Sequence, residues 1–187
     1  MVEAVRGASP ERRERIVEAA RFLALRHGLK GVTMEAIARE ARIAKPTLYS
    51  YFADKDAVFA AVMEEVVEEL KRAFFTGLDG EGDVIVRITA ALIGKYEAIA
   101  TILDGSAHAG EIYGEHDRAA GPQFRALEGL VEEAVATQLT RAGIGRARLL
   151  TQVLLAASYG VGLKARATED LRAAMSLLVE RILRPEM

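Results

Sequence analysis

The sequence predicts an all-α protein with two parts: an N-terminal three-helix domain containing a helix-turn-helix, and a C-terminal helical bundle. Three observations support this fold class. Apolar residues recur with the period of an α-helix along most of the chain, and no segment alternates with the period of two typical of β-strands. Two short helical patterns near the N-terminus are separated by only three residues. The 187 residues suffice for one small and one larger domain, which we place at residues 1–55 and 56–187.

The first two helices open the N-terminal domain. Ser9 and Pro10 start the first helix, which we expect from Arg12 to His27 before the Gly28–Gly31 segment ends it. Thr33 follows, and its hydroxyl can accept a hydrogen bond from a free N–H at the start of the second helix. The second helix presents one apolar face at i, i+3, i+4 and i+7, formed by Met34, Ile37, Ala38 and Ala41.

A tight turn and a third, short helix complete the motif. Residues 42–44 have the length of a tight turn, and Pro46 lies in the first turn of the next helix, where its missing N–H costs little. Leu48 and Phe52 are four residues apart and face the core. A helix of this size fits the major groove of DNA, and its other side chains are of types that hydrogen-bond phosphates and base edges. These exposed residues are Lys45, Thr47, Tyr49, Ser50 and Tyr51.

The residues of this segment also resemble a known family. Their pattern is similar to the DNA-binding domain of the TetR (tetracycline repressor) family of bacterial transcription regulators, over about residues 10–60. The first helix agrees in its apolar pattern and in ending at a glycine. The rest of the chain agrees only in helical character. The matching positions of the motif are Thr33, Ile37, Ala38, Ala41, Ile43, Thr47, Leu48, Tyr49, Tyr51, Phe52 and Lys55.

Arg42 and Ala44 depart from the family pattern, and Pro46 is a less common residue that also occurs within the family. Arg42 stands where the family usually has Gly, a position that often needs a positive φ and costs a non-glycine residue about 1 kcal/mol. Ala44 replaces the usual Ser, so the third helix lacks a side-chain cap, and Pro46 stands where Gly is commoner. The recognition surface is nevertheless kept. The resemblance therefore implies DNA contacts from Thr33, Arg42, Lys45, Pro46, Thr47, Tyr49, Ser50, Tyr51 and Lys55.

The distribution of charge supports a nucleic-acid interface at the N-terminus. The whole chain has a net charge of −2, yet residues 1–60 hold 11 Lys and Arg against 8 Asp and Glu. The chain has no Cys, which excludes disulfides and thiolate metal sites and fits a reducing compartment. Its longest uncharged run, residues 149–163, is short for a membrane span, and the N-terminus lacks a signal-peptide core. We therefore expect a cytoplasmic protein without a membrane partner.

Helices also account for the C-terminal domain. Asp54 is a suitable cap for a helix that runs to about Phe75, before a glycine-rich break at residues 77–82. Gly143 and Pro185 stop later helices. Residues 104–121 are the least regular part of the chain. The remaining helices are expected at 83–103, 122–142, 146–167 and 169–183.

The C-terminal domain also contains candidates for a ligand pocket. Its aromatic residues could line an apolar cavity that holds a small-molecule effector, with a histidine as a polar contact. His108, Glu111 and Glu115 would share a helix face, with His116 nearby, but two glycines weaken this helix and no other ligands complete a metal shell. We therefore expect neither a metal nor another cofactor. The candidate ligand-binding residues are Phe74, Tyr96, His108, Tyr113, Phe124 and Tyr159.

Small residues at positions 156–162 indicate close packing against another helix, because Gly otherwise weakens a helix by about 0.5–1 kcal/mol. By position, the resemblance implies a homodimer interface within residues 146–183.

Together these features predict a homodimeric repressor that a small molecule releases from double-stranded operator DNA. One alternative is a regulator controlled without a small-molecule effector. Another is a metal-dependent enzyme on the helical domain, although the sequence offers no Ser-His-Asp or Cys-His set, so we predict no enzyme.

Overall fold

The computed structural model describes residues 9–104, 106, 108, 121–165 and 168–186. These parts of the chain are helical, with no strand among them, in agreement with the predicted all-α class. They form eight α-helices and a terminal 3-10 turn at Arg184–Glu186. The α-helices are α1 (Pro10–Gly31), α2 (Met34–Glu40), α3 (Lys45–Tyr51), α4 (Lys55–Leu78), α5 (Val84–Leu103), α6 (Gly121–Arg141), α7 (Ala147–Lys164) and α8 (Thr168–Leu183).

Helices α1, α2 and α3 close around one apolar core. Ile16, Ile37 and Leu48, one from each helix, are completely buried there. Three predicted capping features are confirmed. The Thr33 hydroxyl accepts a hydrogen bond from the Ala36 N–H at 3.2 Å. The Asp54 carboxylate accepts one from the Ala57 N–H at 2.8 Å, at the start of α4. The N-cap residue of α3 is Ala44, which provides no side-chain hydrogen bond to the helix.

Helix α1 continues four residues beyond its expected end. Gly28 interrupts it with φ 71° and ψ 158°, and the chain then resumes helical structure to Gly31. The expected stop at Gly28 is therefore an internal kink. Gly28 is buried, and its left-handed φ is accessible to glycine at little cost.

Helix α4 extends into the predicted glycine-rich break and ends at Leu78. Gly77 lies inside α4, at the point where this helix crosses α5. A Cβ on Gly77 would come within 2.4 Å of the backbone of Ala90 and Ala91, so only glycine fits there. Gly94 of α5 repeats the arrangement, since its Cβ would lie 2.8 Å from the Ala73 carbonyl oxygen. Both glycines permit backbone contact between the two helices, so Gly77 is a packing residue.

Two compact units divide the chain inside α4. One comprises residues 1–66 and 103–121, and the other residues 67–102 and 122–187. Within the second unit, Gly143 ends α6 with φ 76°, and helices α7 and α8 pack against each other. Thr151, Leu154 and Ser158 form the buried face of α7. None of the described helices combines the length and apolar character that crossing a membrane requires.

Candidate DNA-binding surface

The turn between α2 and α3 sets the direction of the candidate recognition helix. Arg42 has φ 54°, as its position in place of glycine predicts. The Ile43 N–H donates to the Ala38 carbonyl at 3.0 Å, which closes the turn. Arg15 of α1 donates from Nη2 to the Ala41 carbonyl at 2.7 Å. This hydrogen bond satisfies a carbonyl at the end of α2 and ties the motif to α1.

Helix α3 has one buried and one exposed face. Leu48 is completely buried and Phe52, which follows the helix, is 7% exposed, so the predicted core-facing pair is confirmed. The exposed face carries Lys45, Pro46, Tyr49 and Ser50, next to the exposed Arg42 of the turn. This face offers ammonium, guanidinium, phenol and hydroxyl groups, which can contact phosphates and base edges.

Two predicted recognition residues are less exposed than the sequence suggests. Tyr51 is half-buried because its hydroxyl accepts a hydrogen bond from the Ser9 N–H at 2.9 Å, at the start of α1. Thr47 is also half-buried, and its carbonyl accepts a hydrogen bond from the Ser50 hydroxyl at 2.7 Å. The open part of α3 is therefore centred on Lys45, Pro46, Tyr49 and Ser50.

Lys45 is held at the surface by two neighbours. Its ammonium forms an ion pair with Glu35 of α2 and lies 5.9 Å from the centre of the Tyr49 ring. The hydrogen bond between them raises the pKa of Lys45 and lowers the pKa of Glu35, so both remain charged at neutral pH. Sequence reasoning missed Glu35, because the pairing joins two helices across ten residues.

Thr33 and Lys55 lie at the starts of α2 and α4. Thr33 is exposed, with its hydroxyl engaged in the cap described above. The Lys55 ammonium donates to the Leu29 carbonyl at 3.3 Å, after the kink in α1, and the residue is half-buried. Lys55 is thus positioned by α1 at the positively polarised end of α4, where an anion is stabilised.

The candidate ligand-binding residues have diverse surroundings. Phe74 is fully buried and forms an edge-to-face contact with Phe75, with ring centres 5.2 Å apart. Tyr96 is buried, Phe124 is half-buried and Tyr159 is 50% exposed. These side chains do not share one environment.

The histidine candidate lies in another part of the chain. The His108 N–H donates to the Ser106 hydroxyl at 3.1 Å. Tyr113 lies outside the described residues, as do Glu111, Glu115 and His116 of the suspected metal cluster.

Two polar features of the C-terminal unit were not anticipated from the sequence. Lys95 of α5 is buried and pairs with Glu128 of α6. Separately, a groove of about 400 Å³ lies between the start of α5 and the end of α6. Arg87 in this groove donates to Gln138 at 3.0 Å. The apolar period of these helices gives no sign of either feature, because each depends on a pairing between distant segments.

The three-helix core, the tight turn and the exposed basic face of α3 define a helix-turn-helix DNA-binding protein.

Comparison with known proteins agrees with this classification. The family described as "Bacterial regulatory proteins, tetR family" matches residues 16–62. The HTH-type transcriptional repressor SCO4008 of Streptomyces coelicolor is 41% identical over 56 residues. That match covers 30% of this chain and 29% of the repressor, so the chain matches less than a third of the length of this relative.

Solved structures share the fold over nearly the whole chain. A transcriptional regulator from Pseudomonas aeruginosa PAO1 superposes with a TM-score of 0.74 at 21% identity, covering 98% of this chain and 95% of that one. SCO4454, a TetR-family regulator from Streptomyces coelicolor, gives a TM-score of 0.76 at 19% identity, with 94% and 90% covered. The match over residues 16–62 identifies a DNA-binding domain of the TetR type in the N-terminal part of this chain, and the chain shares its fold with TetR-family regulators.

Proposed function

We propose that the protein is a homodimeric repressor in the cytoplasm that binds operator DNA through α3 and is released by a small-molecule effector. The observation that carries the proposal is the exposed face of α3 beside a compact three-helix core. Repression itself is suggested by the similarity to SCO4008, which is named a repressor.

On DNA, each subunit would insert α3 into a major groove. Lys45, Tyr49 and Lys55 are suited to phosphate oxygens, because an ammonium or a phenol donates without regard to sequence. Thr47 and Ser50 are suited to base edges. The capped start of α2 at Thr33 and the guanidinium of Arg42 would flank these contacts. This division separates residues that supply affinity from residues that supply sequence preference.

The dimer would form through an apolar stripe on α7. Leu149 and Val153 are about half exposed, Ala156 is exposed and Gly160 is partly exposed. Their spacing of 4, 3 and 4 residues places them on one face of the helix, opposite its buried face. A Cβ on Gly160 would meet no atom within 4 Å, so no packing among the described residues explains that glycine. Leu177 of α8, at 57% exposure, adds to this apolar surface.

Effector binding would reach the DNA-binding helices through two connections. Helix α4 is continuous from the N-terminal unit into the C-terminal unit, so a tilt of one end moves the other. After α5, the Ser106 hydroxyl donates to the Leu25 carbonyl of α1 at 2.7 Å. A coupling of about 1–3 kcal/mol would change operator affinity roughly 5- to 150-fold. Reciprocity requires operator DNA to weaken effector binding by the same factor.

The DNA-binding part is tested by selecting bound fragments from a random pool of duplexes. We expect a near-palindromic site. Lys55→Ala should lower the slope of log affinity against log salt concentration by about one for each phosphate that Lys55 neutralises. Thr47→Ala should instead change which bases are enriched. An unchanged salt dependence in Lys55→Ala would remove its phosphate role, and the absence of any enriched sequence would contradict the proposed function.

The dimer is tested by sedimentation of the wild type and of two matched variants. Gly160→Glu places a charge in the apolar stripe and should weaken dimerisation and operator binding together. Gly129→Glu makes the same change in α6, where an added Cβ also meets no atom within 4 Å, and should leave the dimer intact. A wild type that sediments as a monomer at micromolar concentration and binds DNA as a monomer would refute the dimer.

A further inference from the structure

Lys95 is an unusual residue for the interior of a helical bundle. It is 4% exposed, and it is the only buried charged side chain among the residues that the structure describes. Burying an ammonium is strongly unfavourable unless an anion accompanies it. The accompanying anion is Glu128 of α6, whose Oε1 lies 2.5 Å from the Lys95 Nζ.

The two partners of this ion pair differ in burial. The side chain of Lys95 is 5% exposed, whereas that of Glu128 is 53% exposed. The carboxylate of Glu128 can therefore reach water by rotation, whereas the ammonium of Lys95 cannot follow it. Once Glu128 has rotated away, the ammonium lies close beneath the surface without a counter-ion. Another anion of suitable shape can then take the position of the carboxylate.

Polar and aromatic groups surround this position. The Lys95 Nζ lies 5.5 Å from the centre of the Tyr96 ring, and the Tyr96 hydroxyl lies 3.5 Å from the Ser158 Oγ. Burial raises the pKa of Tyr96 to about 12, so its phenol stays protonated and can donate a hydrogen bond. The ring itself is fixed against Gly162 of α7, whose added Cβ would approach it to 2.3 Å.

Apolar surface lies next to the charged group. Phe124 is half-buried one helical turn before Glu128 on α6, so the two side chains emerge on the same face. Tyr159 of α7 is close enough to contribute, with Glu128, to raising the pKa of Tyr96. Of the residues predicted to bind ligand, Tyr96 thus contacts a cation that the sequence did not reveal, while Phe124 shares a helix face with Glu128 and Tyr159 lies near Tyr96.

We infer that Lys95 is the anion-binding residue of the effector site, and that Glu128 occupies in the free protein the position that a carboxylate or phosphate of the ligand takes when bound. The effector would be an amphipathic anion, with its charged group on Lys95 and its apolar part against the aromatic rim. This inference rests on the proposed effector control and gives the ligand its chemical class. It adds an acidic group to the small-molecule effector that the predicted apolar cavity would hold.

Binding of defined probes tests the inference. Octanoate and octyl phosphate combine an anionic group with an apolar chain and distinguish the two kinds of anion, while 1-octanol has the chain without the charge. We expect one or both anions to bind, measured by calorimetry, and 1-octanol to bind at least about tenfold more weakly. Equal binding of 1-octanol and both anions, or binding of none of the three, would overturn the inference.

Variants of the ion pair give a second test. Lys95→Met keeps the length of the side chain and removes the charge, and should weaken the anion about 30-fold or more. Lys71→Met makes the same change at an exposed lysine paired with Glu68 and should have no effect. Glu128→Gln removes the competing carboxylate while keeping an amide oxygen near Lys95, and should strengthen anion binding about tenfold. If Lys95→Met does not fold, the gain of anion affinity in Glu128→Gln still tests the inference. The absence of that gain would overturn the inference.

Operator binding distinguishes failure of the inference from failure of the proposed function. If the anion binds through Lys95 but leaves operator affinity unchanged, the anion site stands and its assignment as the effector site is overturned. If a neutral compound releases the operator equally from the wild type and Lys95→Met, effector control stands and Lys95 is not its ligand contact. Both the inference and the proposed effector control are supported if the anion releases the operator from the wild type but not from Lys95→Met.

Discussion

The DNA-binding surface and the C-terminal unit each contain a lysine–glutamate pair between two helices, and the two pairs differ in burial. On the DNA-binding surface, the side chains of Lys45 and Glu35 are 50% and 61% exposed. In the C-terminal unit, Lys95 is almost completely buried while Glu128 remains half exposed. An exposed pair contributes little to stability and exchanges partners easily, whereas a buried lysine requires an anion. The first pair suits reversible phosphate binding, and the second favours selection of an anionic ligand.

The largest expected effect concerns close helix packing within the C-terminal unit. Gly77→Ala should destabilise the protein by about 3 kcal/mol or more, because the methyl group would overlap the backbone of α5. Gly129→Ala is the control, since its Cβ meets no atom within 4 Å, and it should stabilise α6 by about 0.5–1 kcal/mol. Urea unfolding measures both. A Gly77→Ala variant as stable as the wild type would show that the close crossing of α4 and α5 is wrong.

Removal of the acid from each pair compares their contributions directly. Glu128→Ala should cost about 2–3 kcal/mol of unfolding free energy, because it leaves Lys95 buried without its partner. Glu35→Ala should cost much less than Glu128→Ala, because Lys45 stays hydrated. The measurement is again urea unfolding at neutral pH. Equal costs in the two variants would mean that the difference in burial has no energetic consequence.

Alkaline pH should destabilise the C-terminal unit through Tyr96. Its pKa is raised from 10.0 to about 12 by burial, so between these values the unfolded chain loses a proton that the folded protein keeps. Stability is unaffected below pH 10 and falls as pH rises toward 12, by up to about 2 kcal/mol. Tyr96→Phe should remove that part of the decline. Identical alkaline profiles for the wild type and Tyr96→Phe would contradict this assignment.

On the DNA-binding surface, Glu35→Gln should strengthen binding to duplexes of any sequence. It removes a negative charge from the surface proposed to contact phosphates and releases Lys45 from its ion pair. We expect about a threefold gain at low salt that disappears as salt rises. Glu68→Gln breaks an exposed pair with Lys71 in the C-terminal unit and should not change DNA affinity. Weaker DNA binding in Glu35→Gln would indicate that Glu35 itself contacts bases.

The smallest expected effect concerns two arginines with left-handed backbone, one in each region. Arg42 and Arg146 both have φ 54°. Arg42→Gly should raise stability by less than about 1 kcal/mol, because relief of strain exceeds the entropy cost of glycine. Arg146→Gly should gain less, because Arg146 also forms an ion pair with Glu186 at 2.6 Å. Thermal unfolding ranks the variants, and a destabilised Arg42→Gly would show that its side chain stabilises the turn.

The sequence by itself determined the helices and the motif, because both depend on local rules. Apolar residues at helical spacing, the caps at Thr33 and Asp54, and the stop at Gly143 each act over a few residues. The exposed face of α3 follows from the same periodicity. The left-handed turn was also predictable, because Arg42 occupies a position that the family pattern gives to glycine.

Tertiary structure decided what depends on contacts between distant residues. Gly77 was interpreted as part of a glycine-rich break, yet Gly77 and Gly94 lie where α4 crosses α5, which only the tertiary structure shows. Tyr51 is partly covered through its hydrogen bond with Ser9, 42 residues away. Lys95 resembles any helical lysine in the sequence, and its burial beside Glu128 arises from the packing of α5 and α6. Helical periodicity states which residues share a face, whereas burial depends on which other segment covers that face.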